Sequence, residues 1–592
     1  MNILGVNDGH QSSAAIIVDG CLIAAIAEER FTRRKNEHGY PHNAILECLR
    51  IAGLDSKSLD KVAVATKHLP PVYFSIRRDS DFSIKDFWKE QTDYWYPIIY
   101  EKKNISYNKV FADKIKSDNF VYDRSFIKDD FDTKGMQDAR RSYISNKLNI
   151  DNQDIVFKDH HASHASHAYY GLMAAPDSDK DRLVFTTDGF GDGANASIWI
   201  ASNSGSLKEV MRTDKCHIGR MYRYATLLLG MKPAEHEYKV MGLAPYANID
   251  YCQEAYKVYA ETLQVNGLDF TYDKTPKDNF FYFRDLLKSE RFDAIAYGIQ
   301  RRTEELLSEW VSNGIKETGI KDIIFSGGVA QNIKANKRIW EMDCVDSLFV
   351  PPGPHDESLS IGAAYMEYVS KDNITKSKDR FLSAYLGTSY SDSEIEKQLE
   401  RYNNNPNIVV SKGSPEKAAK LLSQGEVIGC FQGRMEFGAR ALGNRSIVAN
   451  PCDQETIQRI NDQVKKRDFW MPFAPSIKAE REHDYLVNPK KIDARYMTMA
   501  FESTDLGKSS IPAALHPYDK TARPNIVTKE QNPHYHALIS SFEKITGIGA
   551  LLNTSFNIHG EPVVESPEDA LSTFERSGMS HLYIGSFIVS KK

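Results

Sequence analysis

The chain has no Cys-x-x-Cys pair; its seven cysteines, Cys21 to Cys452, stand singly along 592 residues. That excludes a zinc ribbon or a dense disulfide framework and fits reduced thiols in a cytoplasmic protein. No basic tract exists, and 75 Lys and Arg against 80 Asp and Glu leave a net charge of -5. Neither nucleic acid nor an anionic membrane is an expected partner. Long apolar runs are missing too. The most apolar early segment, "SSAAIIVDGCLIAAIAEER", is broken by Asp19-Gly20, a hairpin turn signal, and is too short to cross a bilayer. The start "MNILGVNDGH" lacks a basic n-region and a small-residue cleavage site, so no secretory leader is expected. There is no repeat at a fixed period and no low-complexity tract. With 41% hydrophobic and 26% charged residues the composition is that of a globular protein. Its length calls for two or more domains.

Histidine is present where it is informative. In "HHASHASHAYY" four of the chain's 17 histidines fall within eight residues. His160 and His164 are four apart, one above the other on a helix face, and His167 falls near the same stripe. Two imidazoles so placed can grip one divalent ion. A helix that merely carries His among Ala and Ser is the other reading of that spacing. Asp188 ends the strand "LVFTTD" before the turn "GFGDG", and Asp356 follows the strand "LFV" in "PPGPHDESLS". Carboxylates at strand ends face ligand crevices. Two His and two carboxylates suit Fe(II), Zn or Mn. Turn capping stays open for each Asp.

Residues 3–7 and 14–27 read as strands, and "PHNAILECLRIAGL" (41–54) as a helix. Residues 70–145 are rich in Lys, Asp and aromatics without strand alternation, and read as a helical insertion. The stretches 181–201, 322–340 and 348–369 read as strand-turn-strand, strand-turn-helix and strand-loop-helix. Such units suit an α/β nucleotide-handling fold. "FSGGVAQN" offers backbone N–H groups where a strand feeds a helix, though it matches neither phosphate-loop pattern. "KDNITKSKDR" (371–380) is polar and unpatterned, a candidate linker. Past it, "GRMEFGARALGNRS" interleaves Arg434, Arg440 and Arg445 with glycines, and Lys465, Lys466 and Arg467 follow in "NDQVKKRDFW". Arginine forks and lysine charges at Gly-rich turns hold phosphates. Asn553, Ser555 and Asn557 in "LLNTSFNIHGEP" can hydrogen-bond a nucleotide or shape a turn.

These strings, with "GHQSSAAIIVDG", "AEERFTRRK", "EYKVMGLAPYA", "HDESLSIGAA" and "KKRDFWMPFAPS", resemble in type and order the O-carbamoyltransferases of nodulation-factor and antibiotic biosynthesis. The resemblance runs from residue 9 to about 562. It implies an α/β protein of two domains. Residues 1–375 would form a carbamoyl-transfer domain of actin/Hsp70/sugar-kinase architecture, with the helical insertion at 70–145. Residues 382–592 would form a YrdC-like α/β domain that makes carbamoyl-adenylate from carbamoyl phosphate and Mg-ATP. The first domain would pass the carbamoyl group to a small-molecule alcohol beside a metal, usually iron. By resemblance the metal ligands are His160, His164, Asp188 and Asp356, and His10 is the candidate general base. Lys239, Gly327, Gly328 and Asn332 would line the adenylate site. Arg440 and Lys465 fall on phosphate-binding positions, with Arg434, Arg445, Arg467, Asn553 and Ser555 around them. A fragile adenylate is expected to travel within the protein.

Two departures stand out. His167 occupies a position where the family usually has a small residue. Met471 precedes "PFAP" where Arg is frequent, so one phosphate contact is either missing or supplied by Lys466, Arg467 or Arg445. The rival readings are an actin-like ATPase or sugar kinase, and a nucleotide-binding regulator with degenerate catalysis.

Overall fold

The structure, a computed structural model, describes residues 1–116, 119–171, 180–370 and 383–592. The candidate linker at 371–380 lies outside the described residues. The chain divides into two compact units, Met1–Leu382 and Ser383–Lys592.

The first unit holds two five-stranded sheets. One is built from β1 (Asn2–Asn7), β2 (Ser13–Val18), β3 (Cys21–Ala27), β4 (Lys61–Ala65) and β5 (Ile155–Lys158), in the order β3-β2-β1-β4-β5. The β1-β2 and β2-β3 pairs are antiparallel; β1-β4 and β4-β5 are parallel. The second sheet uses β6 (Arg182–Gly191), β7 (Ala194–Ala201) and β8 (Leu207–Thr213). After a separate hairpin of β9 (Leu263–Asn266) and β10 (Asp269–Tyr272) come β11 (Asp322–Ser326) and β12 (Ser347–Phe349). Its order, β12-β11-β6-β7-β8, repeats the first with the same strand directions. The unit is therefore a duplicated α/β arrangement, as the actin/Hsp70/sugar-kinase resemblance implies. No sequence period reveals it, because the two halves share strand order and direction rather than residue types.

Local chemistry explains the first meander. Asp19 and Gly20 take φ of 47° and 82°, the left-handed pair that a tight two-residue hairpin requires. Central strand β1 is buried from Ile3 to Asn7, which is why it reads as a short apolar run rather than an alternation. The carboxyl ends of β1, β4, β11 and β12 lead into Asp8, Thr66, Gly327 and the Asp356 loop, whereas Asp188 does not end its strand but lies within β6, which runs on to Gly191.

Within residues 70–145 the regular elements described are all helical, from Pro71–Ile76 to Thr133–Leu148. Phe82, Phe87, Tyr94, Tyr107 and Phe111 form its apolar centre with Leu227, Phe280 and Phe281. A buried polar anchor ties it to the first sheet. Arg140 Nη2 donates to Asp8 Oδ1 at 2.5 Å and Nε to Oδ2 at 2.9 Å. Its remaining donors reach the Thr66 and Ala65 carbonyls at 2.8 and 3.0 Å. The Tyr122 hydroxyl donates to Asp8 Oδ2 at 2.6 Å. Both charged side chains are 0% exposed, so each compensates the other's desolvation.

The second unit is mixed α/β around one eight-stranded sheet. Ile428–Phe431, Arg445–Ala449, Ala550–Ser555 and Ala474–Lys478 are consecutive neighbours within it. One apolar cluster covers it with the helices Pro415–Ser423 and Pro533–Thr546, another with Asp392–Leu399 and Pro567–Arg576. Among the described residues no helix is long and apolar enough to cross a membrane, and all seven cysteines are free.

Arg140→Ala leaves Asp8 buried and unpaired. It is expected to destabilise the first unit by about 3–5 kcal/mol, read as a shifted denaturant midpoint. A shift below about 1 kcal/mol, the range of an exposed pair, would show that the anchor is not needed.

Candidate functional site

His160 and His164 lie on the helix His160–Ser166, as their spacing predicts. The helix starts under two carboxylates. Asp159 caps it by accepting from Ala162 N at 3.0 Å, and Asp192 accepts from His160 N at 2.8 Å. Both complement the helix dipole. Asp192 also takes the Lys67 and His68 amides at 3.0 and 2.8 Å, which pins the loop after β4. The string "TTDGFGDG" thus does three things: Asp188 enters the site, Asp192 holds the helix start, and Gly191 makes room. A Cβ on Gly191 would lie 2.2 Å from His160 Cγ, so no side chain fits there while His160 keeps its position.

One donor atom from each of His160, His164, Asp188 and Asp356 lies within 4.8 Å of the others. His164 Nε2 is 3.3 Å from Asp188 Oδ2 and 3.4 Å from Asp356 Oδ1, and His160 Nε2 is 3.8 Å from Asp356 Oδ1. Yet His160 Nε2, His164 Nε2 and Asp356 Oδ1 are buried without a hydrogen-bond partner. Bond lengths of ~2.1 Å to one ion put neighbouring ligands about 3–3.5 Å apart. Convergence without mutual bonding is what donors around a cation show. The residues therefore fit a divalent metal. The imidazoles are 0% and 4% exposed and the carboxylates 17% and 16%, so the pocket opens on its carboxylate side.

Neighbours fix each donor. Thr66 Oγ1 lies 3.1 Å from His160 Nδ1, which turns Nε2 toward the other ligands. Thr66 has φ of 62°, a strained value for a β-branched residue, and the Arg140 bond to its carbonyl holds it there. Asp188 Oδ1 accepts from Gly189 N at 2.5 Å and Oδ2 from Gly328 N at 2.7 Å. Burial opposes the Asp188 charge, but His164 and the Gly328 amide outweigh it and hold the carboxyl far below the usual range. Burial likewise opposes charge on His164, and the two carboxylates raise it to about 9.

His161 and His167 are outside the four-donor group. Burial first, then repulsion from neighbouring imidazoles, presses both to about 3, so both are neutral. His161 Nδ1 meets Thr186 Oγ1 at 2.8 Å. At His167 the helix widens into the π-turn His167–Gly171, which ends the stripe that helical spacing suggested.

His10 sits in the loop between β1 and β2. Asn7 Nδ2 donates to the His10 carbonyl and to the Asp356 carbonyl, each at 2.9 Å, so one amide joins the His10 loop to a ligand loop. Gly327 takes φ of +92°, and a Cβ there would lie 2.2 Å from the Thr187 carbonyl oxygen. The Gly-Gly turn presents its second amide to Asp188. Asn332 caps the helix Ile333–Glu341 and exchanges two bonds with Gln300. Lys239, on the helix Glu237–Leu243, is buried.

In the second unit Lys465 Nζ donates to Ser555 Oγ at 3.2 Å and to Asn557 O and Oδ1 at 3.0 and 2.7 Å. Arg467 reaches Thr554 Oγ1 at 2.7 Å. Asn553 Nδ2 bonds the Ala441 carbonyl at 3.0 Å, which ties the loop of Arg440 to the same strand end. Arg523, in "TARPNIV", was not legible as a site residue, being a lone Arg without the glycine context. Burial and the nearby Arg440 and Arg467 guanidiniums press it down to about 9, with Asp519 partly offsetting them. Arg440, Arg467 and Arg523 thus lie near one another. Two other arginines of the Gly-rich string turn inward. Arg445 is 0% exposed and gives Nη1 to the Gln432, Gly433 and Asn444 carbonyls. Arg434 bonds the Gly387 and Leu386 carbonyls. Lys466 is exposed and Met471 buried. Of the three residues considered as substitutes at Met471, Arg467 is the one in the cluster.

The first unit thus brings two imidazoles and two carboxylates together in a group that fits a metal ion, and the second places several arginines near one another. Residues 2–365 match the family model described as the carbamoyltransferase N-terminus, and residues 419–591 the carbamoyltransferase C-terminus. An uncharacterized protein of Methanocaldococcus jannaschii is 31% identical over 604 residues, covering 100% of this chain and 99% of the relative. Nodulation protein NolNO of Sinorhizobium fredii is 28% identical over 589 residues, 98% of this chain and 79% of that protein. Among solved structures, full-length HypF in its phosphate- and nucleotide-bound form has a TM-score of 0.35 at 12% identity, over 63% of this chain and 56% of that one. The chain belongs to the carbamoyltransferase family and is a transferase enzyme.

A His160→Ala/His164→Ala variant is expected to bind no metal at the pocket, by elemental analysis after dialysis; full occupancy would contradict the ligand set. Thr66→Val, which replaces only the hydroxyl behind His160 by a methyl, should weaken metal affinity by about 10–100-fold in a chelator competition titration.

Proposed function

We propose that this carbamoyltransferase is ATP-dependent and works in two half-reactions, one per unit. The observation that carries the reading is the convergence of His160, His164, Asp188 and Asp356 in a chain of this family. In the YrdC-like second unit, carbamoyl phosphate loses its phosphate to water. The carbamate oxygen attacks the α-phosphorus of Mg-ATP, pyrophosphate leaves, and carbamoyl-adenylate forms. Arg440, Arg467 and Arg523 offset the phosphate charge, which matters most where it grows in the transition state. Lys465, fixed by Ser555 and Asn557, adds a point charge behind them.

In the first unit Lys239 and the turn at Gly327, Gly328 and Asn332 line the adenylate site. An alcohol oxygen attacks the carbamoyl carbon, the bond to AMP breaks, and AMP leaves. His10 takes the hydroxyl proton. A divalent cation held by His160, His164, Asp188 and Asp356 supplies a Lewis acid for the carbonyl or the hydroxyl when bound. That donor set suits Fe(II), Zn or Mn, and the resemblance favours Fe(II). The acceptor is a small-molecule alcohol, of sugar or natural-product type.

Purified protein given ATP and carbamoyl phosphate should release pyrophosphate only when both are present. ADP formation alone would point to a kinase, and no turnover to a nucleotide-binding regulator. Arg440→Ala and Lys465→Ala should abolish that release yet leave AMP formation from supplied carbamoyl-adenylate largely intact. Equal loss of both activities in Arg440→Ala would sink the division of labour.

A further inference from the structure

The insertion has so far no part in the chemistry beyond its anchor. It also delivers a carboxylate to His10. Asp79 belongs to the short helix Arg78–Asp81, and its Oδ2 lies 3.3 Å from His10 Nδ1. That nitrogen is buried and has no hydrogen-bond partner, while the side chain as a whole is 25% exposed. One edge of the ring therefore faces Asp79 and the rest opens outward. The other Asp79 oxygen is occupied. Oδ1 accepts from Arg223 Nη2 at 3.1 Å and from Arg78 Nη1 at 3.4 Å. Arg78 is itself held by two 2.6 Å bonds to Glu90 and lies over the Phe87 ring. The carboxylate cannot turn from the imidazole without losing two guanidinium contacts.

The surrounding charges leave this pair intact. Burial works against the Asp79 charge, and Arg223, His10 and Arg78 outweigh it, holding the carboxyl well below its usual range. His38 also faces the pair. Burial, then His10, presses it down to about 4, so it is uncharged. Asp8 and Arg77, next to His38, are neutralised by Arg140 and Glu37.

We propose that Asp79 is the positioning residue for His10: it takes the Nδ1–H, fixes the tautomer, and leaves Nε2 bare toward the acceptor. This rests on reading His10 as the base. The proton of the acceptor hydroxyl goes to Nε2 as the carbamoyl–oxygen bond forms and AMP leaves. Asp79 stabilises the resulting imidazolium and keeps its own charge, and the proton then passes to solvent. Base geometry is thus shared among the first hairpin loop, the insertion, and the helix Ile218–Leu228 that carries Arg223.

The test uses the full-length protein with carbon-13 and nitrogen-15 labelled histidine, followed by NMR across pH. His10→Asn identifies the His10 signal by its loss. In the parent protein that ring should be the Nδ1–H tautomer. In Asp79→Asn it should become a mixture of tautomers and bind its proton about ten-fold more weakly, as loss of a neighbouring carboxylate implies; Asp79→Glu should restore most of both. An unchanged tautomer and titration in Asp79→Asn overturn the proposal. If Asp79→Asn does not fold, Arg223→Gln carries the test. Removing that cation should strengthen proton binding at His10, and an unchanged titration overturns the proposal equally. A His10→Asn variant that releases AMP from carbamoyl-adenylate and acceptor at the parental rate removes the base assignment instead, whatever the NMR result.

Discussion

Two imidazoles and two carboxylates must converge within 4.8 Å of one another in a mostly buried pocket, near the spread of donors around one ion. Uncompensated buried donors are costly, and the neighbouring elements are arranged to hold them apart. Asp192 holds the helix start, the Gly328 amide takes one Asp188 oxygen, and Thr66 turns His160. Thr66 in turn keeps a strained backbone because Arg140 reaches its carbonyl from the insertion. A chain of contacts therefore runs from the Asp8–Arg140 pair to His160.

The duplicated sheets explain where the pocket sits. Parallel strands deliver their carboxyl ends to one region, where Asp8, Thr66 and the Gly-Gly turn stand. The two carboxylates come from the second half of the duplication and the histidines from the helix after the first. No single segment could form the site.

How much could be read beforehand follows from sequence distance. His160 and His164 are one helical turn apart, and Asp188 and Asp356 were placed by strand patterns, so local spacing made all four candidates and the family resemblance joined them into one set. The supports were not marked. Thr66 meets His160 across 94 positions and Arg140 meets Asp8 across 132, and no local period encodes such pairs. Asp79 and Arg523 were missed for the same reason. The arginines of "GRMEFGARALGNRS" were legible as a group but not in direction. A Gly-rich loop has carbonyls without strand or helix partners, and the fork of Arg445 satisfies three of them, while Arg434 reaches out to the Leu386 and Gly387 carbonyls. The strand order was invisible because duplication at the level of topology leaves no period in residue types.

The central claim is that one cation is held by two histidines and two carboxylates. X-ray absorption at the edge of the bound metal, on protein purified without added chelator, tests it most directly. The account predicts a shell of nitrogen and oxygen at ~2.0–2.2 Å with the multiple-scattering signature of two imidazoles, both lost in the double histidine variant. A bound metal whose spectrum carries no imidazole signature, or sulfur in its first shell, would contradict it.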